Sequence, residues 1–207
     1  MTGYAAVVLA GGRARRLGGI AKPAVEIGGR PLLARVLAAV ADADRVIVVG
    51  PPVTGLDGPE PVWAREDPPG SGPVAALRAA VPLLPPGIGT VVVLAADLPF
   101  LDAATVARLR AAAVGTGATD AAVLIDDGGR DQYLAAAWGA CALRRALSTV
   151  EDDRVSSVYA VATVTRLAVA GYRAGTEPWR DVDDPAGLDR ARASWEHSAE
   201  DDPTGQG

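Results

Sequence analysis

Apolar residues fall along the chain in short blocks separated by glycine, proline and charged residues. Residues 5–9 (AAVVL), 46–49 (VIVV) and 90–95 (TVVVLA) are unbroken apolar runs of strand length. Each leads into a loop rich in glycine or proline, and each predicts a buried strand. Residues 62–65, 121–125 and 162–168 read as further strands. Between them, residues 30–41, 74–84, 103–113, 140–147 and 185–195 carry apolar positions at helical spacing. Pro31 suits a first helical position, and Asp102 and Asp184 suit N-caps. Pro82 weakens the end of the second helix. The Asp-Gly-Gly within 126–131 predicts a hairpin turn, with 133–138 returning antiparallel.

Strands alternating with helices predict a three-layer α/β/α fold around a Rossmann-like, mostly parallel sheet. A single domain is expected over residues 1–195. The polar stretch 196–207 is expected to be a disordered tail. In such a sheet, ligands bind beyond the C-terminal ends of the strands. That rule selects the loops after Leu9, Val49, Arg65 and Ala96.

Composition narrows the chemistry. The chain is 49% hydrophobic but only 4% aromatic, so the core must be built from Ala, Val and Leu. A net charge of -5 gives no footing for a nucleic-acid backbone. No run approaches the roughly 18 apolar residues of a membrane helix, so no membrane partner is expected. The N-terminus carries no basic segment and does not read as a signal peptide. Cys141 is the only cysteine and suits a reducing cytoplasm. The sole histidine, His197, lies in the polar C-terminal stretch, which argues against Ser–His or Cys–His catalysis and a His-based zinc site.

The clearest chemical signal follows the first strand, in Leu9-Ala10-Gly11-Gly12-Arg13-Ala14-Arg15-Arg16-Leu17-Gly18-Gly19-Ile20-Ala21-Lys22. Paired glycines at a strand end let backbone N–H groups approach phosphate oxygens. Arg13, Arg15, Arg16 and Lys22 all precede the first acid, Glu26, and make a local positive patch. Lys22 is the only lysine of the chain, so every other cation is an arginine. A compact ammonium can follow a moving phosphate. The loop is neither a P-loop nor a dinucleotide fingerprint. Asp97, at the end of the strongest strand, suits Mg²⁺ held against NTP phosphates; a plain turn-forming Asp before Pro99 is the alternative. The loop 67–73 is a second glycine-rich candidate at a strand end. Asp181 and Asp183 either face the site or belong to a solvated acidic loop.

These residues resemble the signature of molybdenum cofactor guanylyltransferases, within the wider MobA-like NTP-transferase family. The resemblance continues through Gly72-Pro73-Val74-Ala75-Ala76, Ala95-Ala96-Asp97-Leu98-Pro99-Phe100, Asp127-Gly128-Gly129-Arg130-Asp131-Gln132 and Asp181-Val182-Asp183-Asp184-Pro185. It implies that Leu9, Ala10, Gly11 and Gly12 bind the guanine and phosphates of GTP, and that Lys22 contacts phosphates. Gly50 and Asp67 would line the nucleoside pocket, and Asp97 would hold Mg²⁺. Arg130, Gln132 and Asp183 would face the acceptor, molybdopterin cofactor. Lys22, Arg16 and Asp97 form the expected catalytic set, acting by positioning and charge neutralisation. A molybdoenzyme or a cofactor-delivery protein is an expected transient partner. The chain departs from the family pattern at Ala21, Gly50, Ala76, Asp181, Asp183 and Asp184. A cytidylyltransferase, a phosphosugar enzyme and a non-catalytic nucleotide-binding regulator remain as alternatives.

Overall fold

A computed structural model describes residues 3–11, 22–114 and 119–201, with side chains for 3–11, 23–113 and 119–198. Strands β1 (Tyr4–Leu9), β2 (Glu26–Ile27) and β3 (Arg30–Pro31) precede helix α1 (Leu32–Ala39). Then come β4 (Arg45–Val49), β5 (Val62–Ala64), α2 (Pro73–Ala80), β6 (Thr90–Ala95) and α3 (Ala103–Val114). The chain continues through β7 (Ala121–Ile125), β8 (Asp131–Gly139), α4 (Ala140–Thr149), α5 (Val155–Ala160), β9 (Val164–Leu167) and α6 (Pro185–Asp201).

Seven strands form one sheet in the order β5-β4-β1-β6-β8-β7-β9. All run parallel except β8, which is antiparallel to both β6 and β7. Both faces are covered, which is why the central strands are unbroken apolar runs rather than alternating ones. Ala5, Val7, Ile47, Val49, Val91 and Val93 face the layer containing α2, α4 and α5. Their neighbours Ala6, Val8, Val48, Val92 and Leu94 face α1 and α3. The three-layer α/β/α arrangement expected from the sequence is the one observed.

Three local readings are corrected. Arg30 and Pro31 do not begin α1: they pair with Glu26 and Ile27 as a small antiparallel ladder, and Pro31 becomes the residue that caps the helix. Proline lacks an N–H, so the edge of a two-stranded ladder costs it nothing. The second helix stops at Ala80, and Pro82 lies in a following 3-10 turn. Helix α6 does not end near Trp195 but continues to Asp201. There Ser198 donates back to the Ser194 carbonyl at 2.9 Å. The predicted caps hold: Asp102 accepts from the Thr105 amide at 2.7 Å, and Asp184 from the Gly187 amide at 2.7 Å.

Helix α5 escaped the sequence reading because its six residues are too few to display a helical period. Tertiary contacts hold it. The Trp138 indole donates to the Tyr159 hydroxyl at 3.0 Å, and that hydroxyl donates to the Tyr133 carbonyl at 2.6 Å. Burial pushes the Tyr159 phenol well above its ordinary pKa, so it stays a neutral donor. Gly50, after β4, is packed just as tightly. A Cβ there would lie 2.8 Å from the carbonyl carbon of Ala10 and 2.9 Å from its oxygen. Those atoms belong to the β1 tip and cannot move aside without disturbing it.

Two stability predictions follow from these contacts. Tyr159→Phe strands the buried Trp138 N–H and should cost about 1–3 kcal/mol in urea unfolding. An unchanged midpoint would mean that the hydrogen bond contributes nothing. Gly50→Ala should cost about 1–3 kcal/mol by the same measurement, because it overpacks against backbone. A neutral result would show that the tip of β1 yields.

Candidate active site

The C-terminal tips of β1 and β6 are joined by hydrogen bonds that continue beyond the strands. The Ala10 amide donates to the Val49 carbonyl at 2.8 Å, and the Ala96 amide to the Leu9 carbonyl at 3.1 Å. With Leu9 in register with Ala95, this puts Gly11 and Asp97 at neighbouring strand ends. Both line one cleft of about 550 Å³. Leu9, Ala10, Ala96 and Leu98 floor it, and Gly72, Pro73 and Ala76 at the start of α2 form one side. Gly72 has φ of +93°, a conformation that favours glycine, and its carbonyl accepts from the Ala76 amide to open the helix.

The opposite side is built by β8. Because β8 is antiparallel, its first residues project past the end of β6, where Ala135 pairs with Leu94. Between the pairs Val123–Ala136 and Leu124–Gln132, three residues of β8, Tyr133 to Ala135, bulge out of register. A bulge re-aims side chains, and these three line the cleft together with Asp131 and Gln132. Arg166 holds the Asp131 carboxylate through two hydrogen bonds of 2.7 and 2.9 Å. The Gln132 amide nitrogen donates to Asp126 at 3.0 Å, which ties it to the hairpin turn. Asp126 also accepts from the amides of Gly128 and Arg130, so the predicted Asp-Gly-Gly turn is present.

Trp179, Asp181 and Asp183 close the remaining side. Trp179 packs edge-on against Tyr172 at 4.9 Å between ring centroids. The Tyr172 hydroxyl donates to Asp127, which raises the phenol pKa to about 12. Burial works against the charge of Glu177, yet hydrogen bonds from Arg180 and from the Gly175 amide hold its pKa below the usual range. Glu177 thereby braces the turn that carries Trp179.

Leu9, Ala10, Gly11, Asp97, Gln132 and Asp183 are therefore brought together. Gly50 stands behind the wall, in contact with Ala10. Asp67 and Arg130 are exposed on the adjoining loops and are not among the lining residues. Gly12 and Arg16 lie outside the described residues, as does the side chain of Lys22. The described lining carries four aspartates, at 97, 131, 181 and 183, and no arginine.

The sequence reading missed Glu66. This carboxylate is only 6% exposed and lies against Gly11, where a Cβ would sit 3.3 Å from its Oε1. Oε1 accepts from the Gly70 amide at 2.8 Å, while Oε2 has no partner among the described residues. Glu66 thus packs the loop 67–73 onto the glycine loop. Its signal was available as an acid two residues after β5, but Asp67 beside it drew the reading. Val155 of α5 and Trp179 were also missed, since nothing in their sequence neighbourhood marks them.

Residues 6–167 match the family described as MobA-like NTP transferase domain. A probable molybdenum cofactor guanylyltransferase of Haloferax mediterranei is 37% identical over 87 residues, covering 39% of this chain and 41% of that protein. The match thus spans about two fifths of the length of this curated relative. Among solved structures, molybdopterin-guanine dinucleotide biosynthesis protein A from Archaeoglobus fulgidus aligns with a TM-score of 0.71 at 21% identity, covering 93% of this chain and 99% of that one. The 2-C-methyl-D-erythritol 4-phosphate cytidylyltransferase from Thermus thermophilus aligns with a TM-score of 0.66 at 21% identity, over 92% and 98% of the two chains. The two structures share the fold, and the family match covers most of the sheet and both strand tips that floor the cleft: the chain belongs to the MobA-like NTP transferases.

Proposed function

We propose that this cleft transfers GMP from GTP to the phosphate of molybdopterin cofactor and releases pyrophosphate. The observation that carries the reading is the pairing of Gly11 and Asp97 at adjacent strand tips on one cleft. An acceptor phosphate oxygen attacks the α-phosphorus, the bond from that phosphorus to the bridging oxygen breaks, and pyrophosphate leaves. The attacking oxygen is already an anion at neutral pH, so no general base is needed. The lack of any histidine but His197 agrees with this. The choice of guanine and of molybdopterin draws on the name of the Haloferax relative.

The segment Leu9 to Gly12 receives the nucleotide, with the Ala10 amide already given to the Val49 carbonyl, and Gly50 keeps the Ala10 wall in place behind it. Asp67, exposed on the loop after β5, would reach the nucleoside from outside the described lining. Lys22 and Arg16 neutralise the phosphates. Gln132 and Asp183, with Arg130 at the rim of the same hairpin turn, serve the acceptor.

The residues present fit a Mg²⁺ ion that arrives with the NTP. Among the described residues no group of three or more His, Cys, Asp or Glu could hold a metal alone. Mg²⁺ typically takes one or two carboxylates and completes its shell with phosphates and water. Asp97 would hold it, and the ion would supply charge neutralisation at the phosphates.

The cytidylyltransferase neighbour favours a second reading, with CTP as donor. A panel of GTP, CTP and ATP with Mg²⁺ and molybdopterin cofactor, scored for pyrophosphate, separates the two. GTP is expected to give the release. Release with CTP and none with GTP would overturn the base assignment, and binding without release from any NTP would make the protein a nucleotide-binding regulator. Asp97→Asn should lower turnover by about 10²-fold or more while leaving the urea midpoint near that of the parent. Full Mg²⁺-dependent turnover in that variant would remove Asp97 from the metal site.

A further inference from the structure

A second cavity, of about 670 Å³, lies on the α1–α3 face of the sheet, behind the loop that carries Asp97. It is bounded by α1, the start of α3, the segment 169–178 and α6. Among the described residues four arginines line it, Arg30, Arg35, Arg108 and Arg173, against a single acid, Asp102. That acid is already engaged as the N-cap of α3. A concentration of cations is unexpected in a protein of net charge -5.

Arg35 is the central feature. It is only 8% exposed, and it has no carboxylate partner among the described residues. One terminal nitrogen donates to the Ile27 carbonyl, and its Nε has no partner among the described residues. The guanidinium lies over the Trp195 ring, 3.7 Å from its centroid. Burial and the neighbouring Arg30 both lower its pKa, so the surroundings oppose its charge rather than balance it. Burying a guanidinium is costly unless an anion answers it. Arg30 is exposed at the rim, and Arg108 makes a hydrogen bond only to the Ala168 carbonyl among the described residues, at 3.3 Å. Arg173 donates to the His197 carbonyl at 2.9 Å.

We infer that this cavity is a binding site for a small phosphoryl-bearing anion, separate from the nucleotide cleft. Several guanidinium groups around one opening suit a multiply charged tetrahedral oxyanion, which takes bidentate hydrogen bonds from arginine. The volume suits a ligand up to the size of a mononucleotide. Trp195, Tyr172 and Phe100 offer aromatic surface beside the cations. The site shares one short loop with the proposed reaction centre. Asp97 and Leu98 line the cleft, while Pro99 to Asp102 line this cavity. An anion held here would therefore set the position of the loop that presents Asp97.

The tryptophan indoles can test the inference in the full chain. Trp195 lines this cavity, Trp179 lines the cleft, and Trp63 and Trp138 line neither. Inorganic pyrophosphate is titrated into ¹⁵N-labelled protein while the four indole signals, assigned by Trp→Phe variants, are followed. A saturable shift of the Trp195 signal is expected, whatever happens at Trp179. The double variant Arg30→Ala/Arg108→Ala changes only exposed side chains and should weaken the Trp195 response at least about ten-fold. It should leave any Trp179 response as it was. Citrate is the carboxylate control and should bind at least about ten-fold more weakly. A Trp195 signal that does not move at millimolar pyrophosphate would overturn the inference, as would an unchanged response in the double variant. Citrate binding as tightly as pyrophosphate would overturn the phosphoryl assignment. A response at Trp179 alone would locate the anion in the cleft, overturning the second site and leaving the proposed transfer reaction unaffected.

Discussion

The Leu9 carbonyl accepts from the Ala96 amide while the next residue, Ala10, donates to the Val49 carbonyl. These two hydrogen bonds carry the sheet ladder one step beyond the ends of β1, β4 and β6. Beyond that step the chain on β1 becomes the glycine loop, and the chain on β6 becomes Asp97. The register of β1 against β6 pairs Leu9 with Ala95, and that pairing sets Gly11 beside Asp97. Gly50 belongs to the same constraint, since only a residue without a side chain leaves Ala10 where it is.

The rest of the cleft is arranged around that fixed edge. The antiparallel β8 inserts between β6 and β7 and overshoots the sheet, so one continuous strand contributes both core and cleft wall. Its inner half, Ala135 to Trp138, is fully buried, and its outer half, from Asp131 to Leu134, is half-buried. The bulge at Tyr133 to Ala135 is the boundary between the two roles. Tyr159 reaches that boundary from α5, which couples core packing to wall geometry through one hydroxyl. Charge is divided in a complementary way. The described lining is acidic, while the glycine loop brings Arg13, Arg15, Arg16 and Lys22 in sequence.

Much of this was legible in the sequence. The buried strands were read because TVVVLA and its counterparts have no other stable place than a doubly covered sheet. Asp97 and Gly11 were found because ligands gather at the C-terminal strand ends of such sheets. Gly50 was noticed, but as a departure from the family pattern; the reason for it is steric and needs coordinates. Glu66 was there to be read beside Asp67, whereas Trp179 and Val155 were not legible, since each joins the cleft through a fold-back of chain that no local period encodes. The arginines of the second cavity were invisible for the same reason. Arg30, Arg35, Arg108 and Arg173 are spread along the sequence, and only the packing of α1, α3 and α6 assembles them.

Transfer of GMP from GTP by the strand-tip cleft can be followed with radiolabelled GTP in the presence of molybdopterin cofactor and Mg²⁺. With label on the α-phosphate, radioactivity should pass to the acceptor; with label on the γ-phosphate, it should leave entirely in pyrophosphate. Release of labelled inorganic phosphate from the γ-position, with nothing transferred from the α-position, would contradict the account and make the cleft a site of hydrolysis.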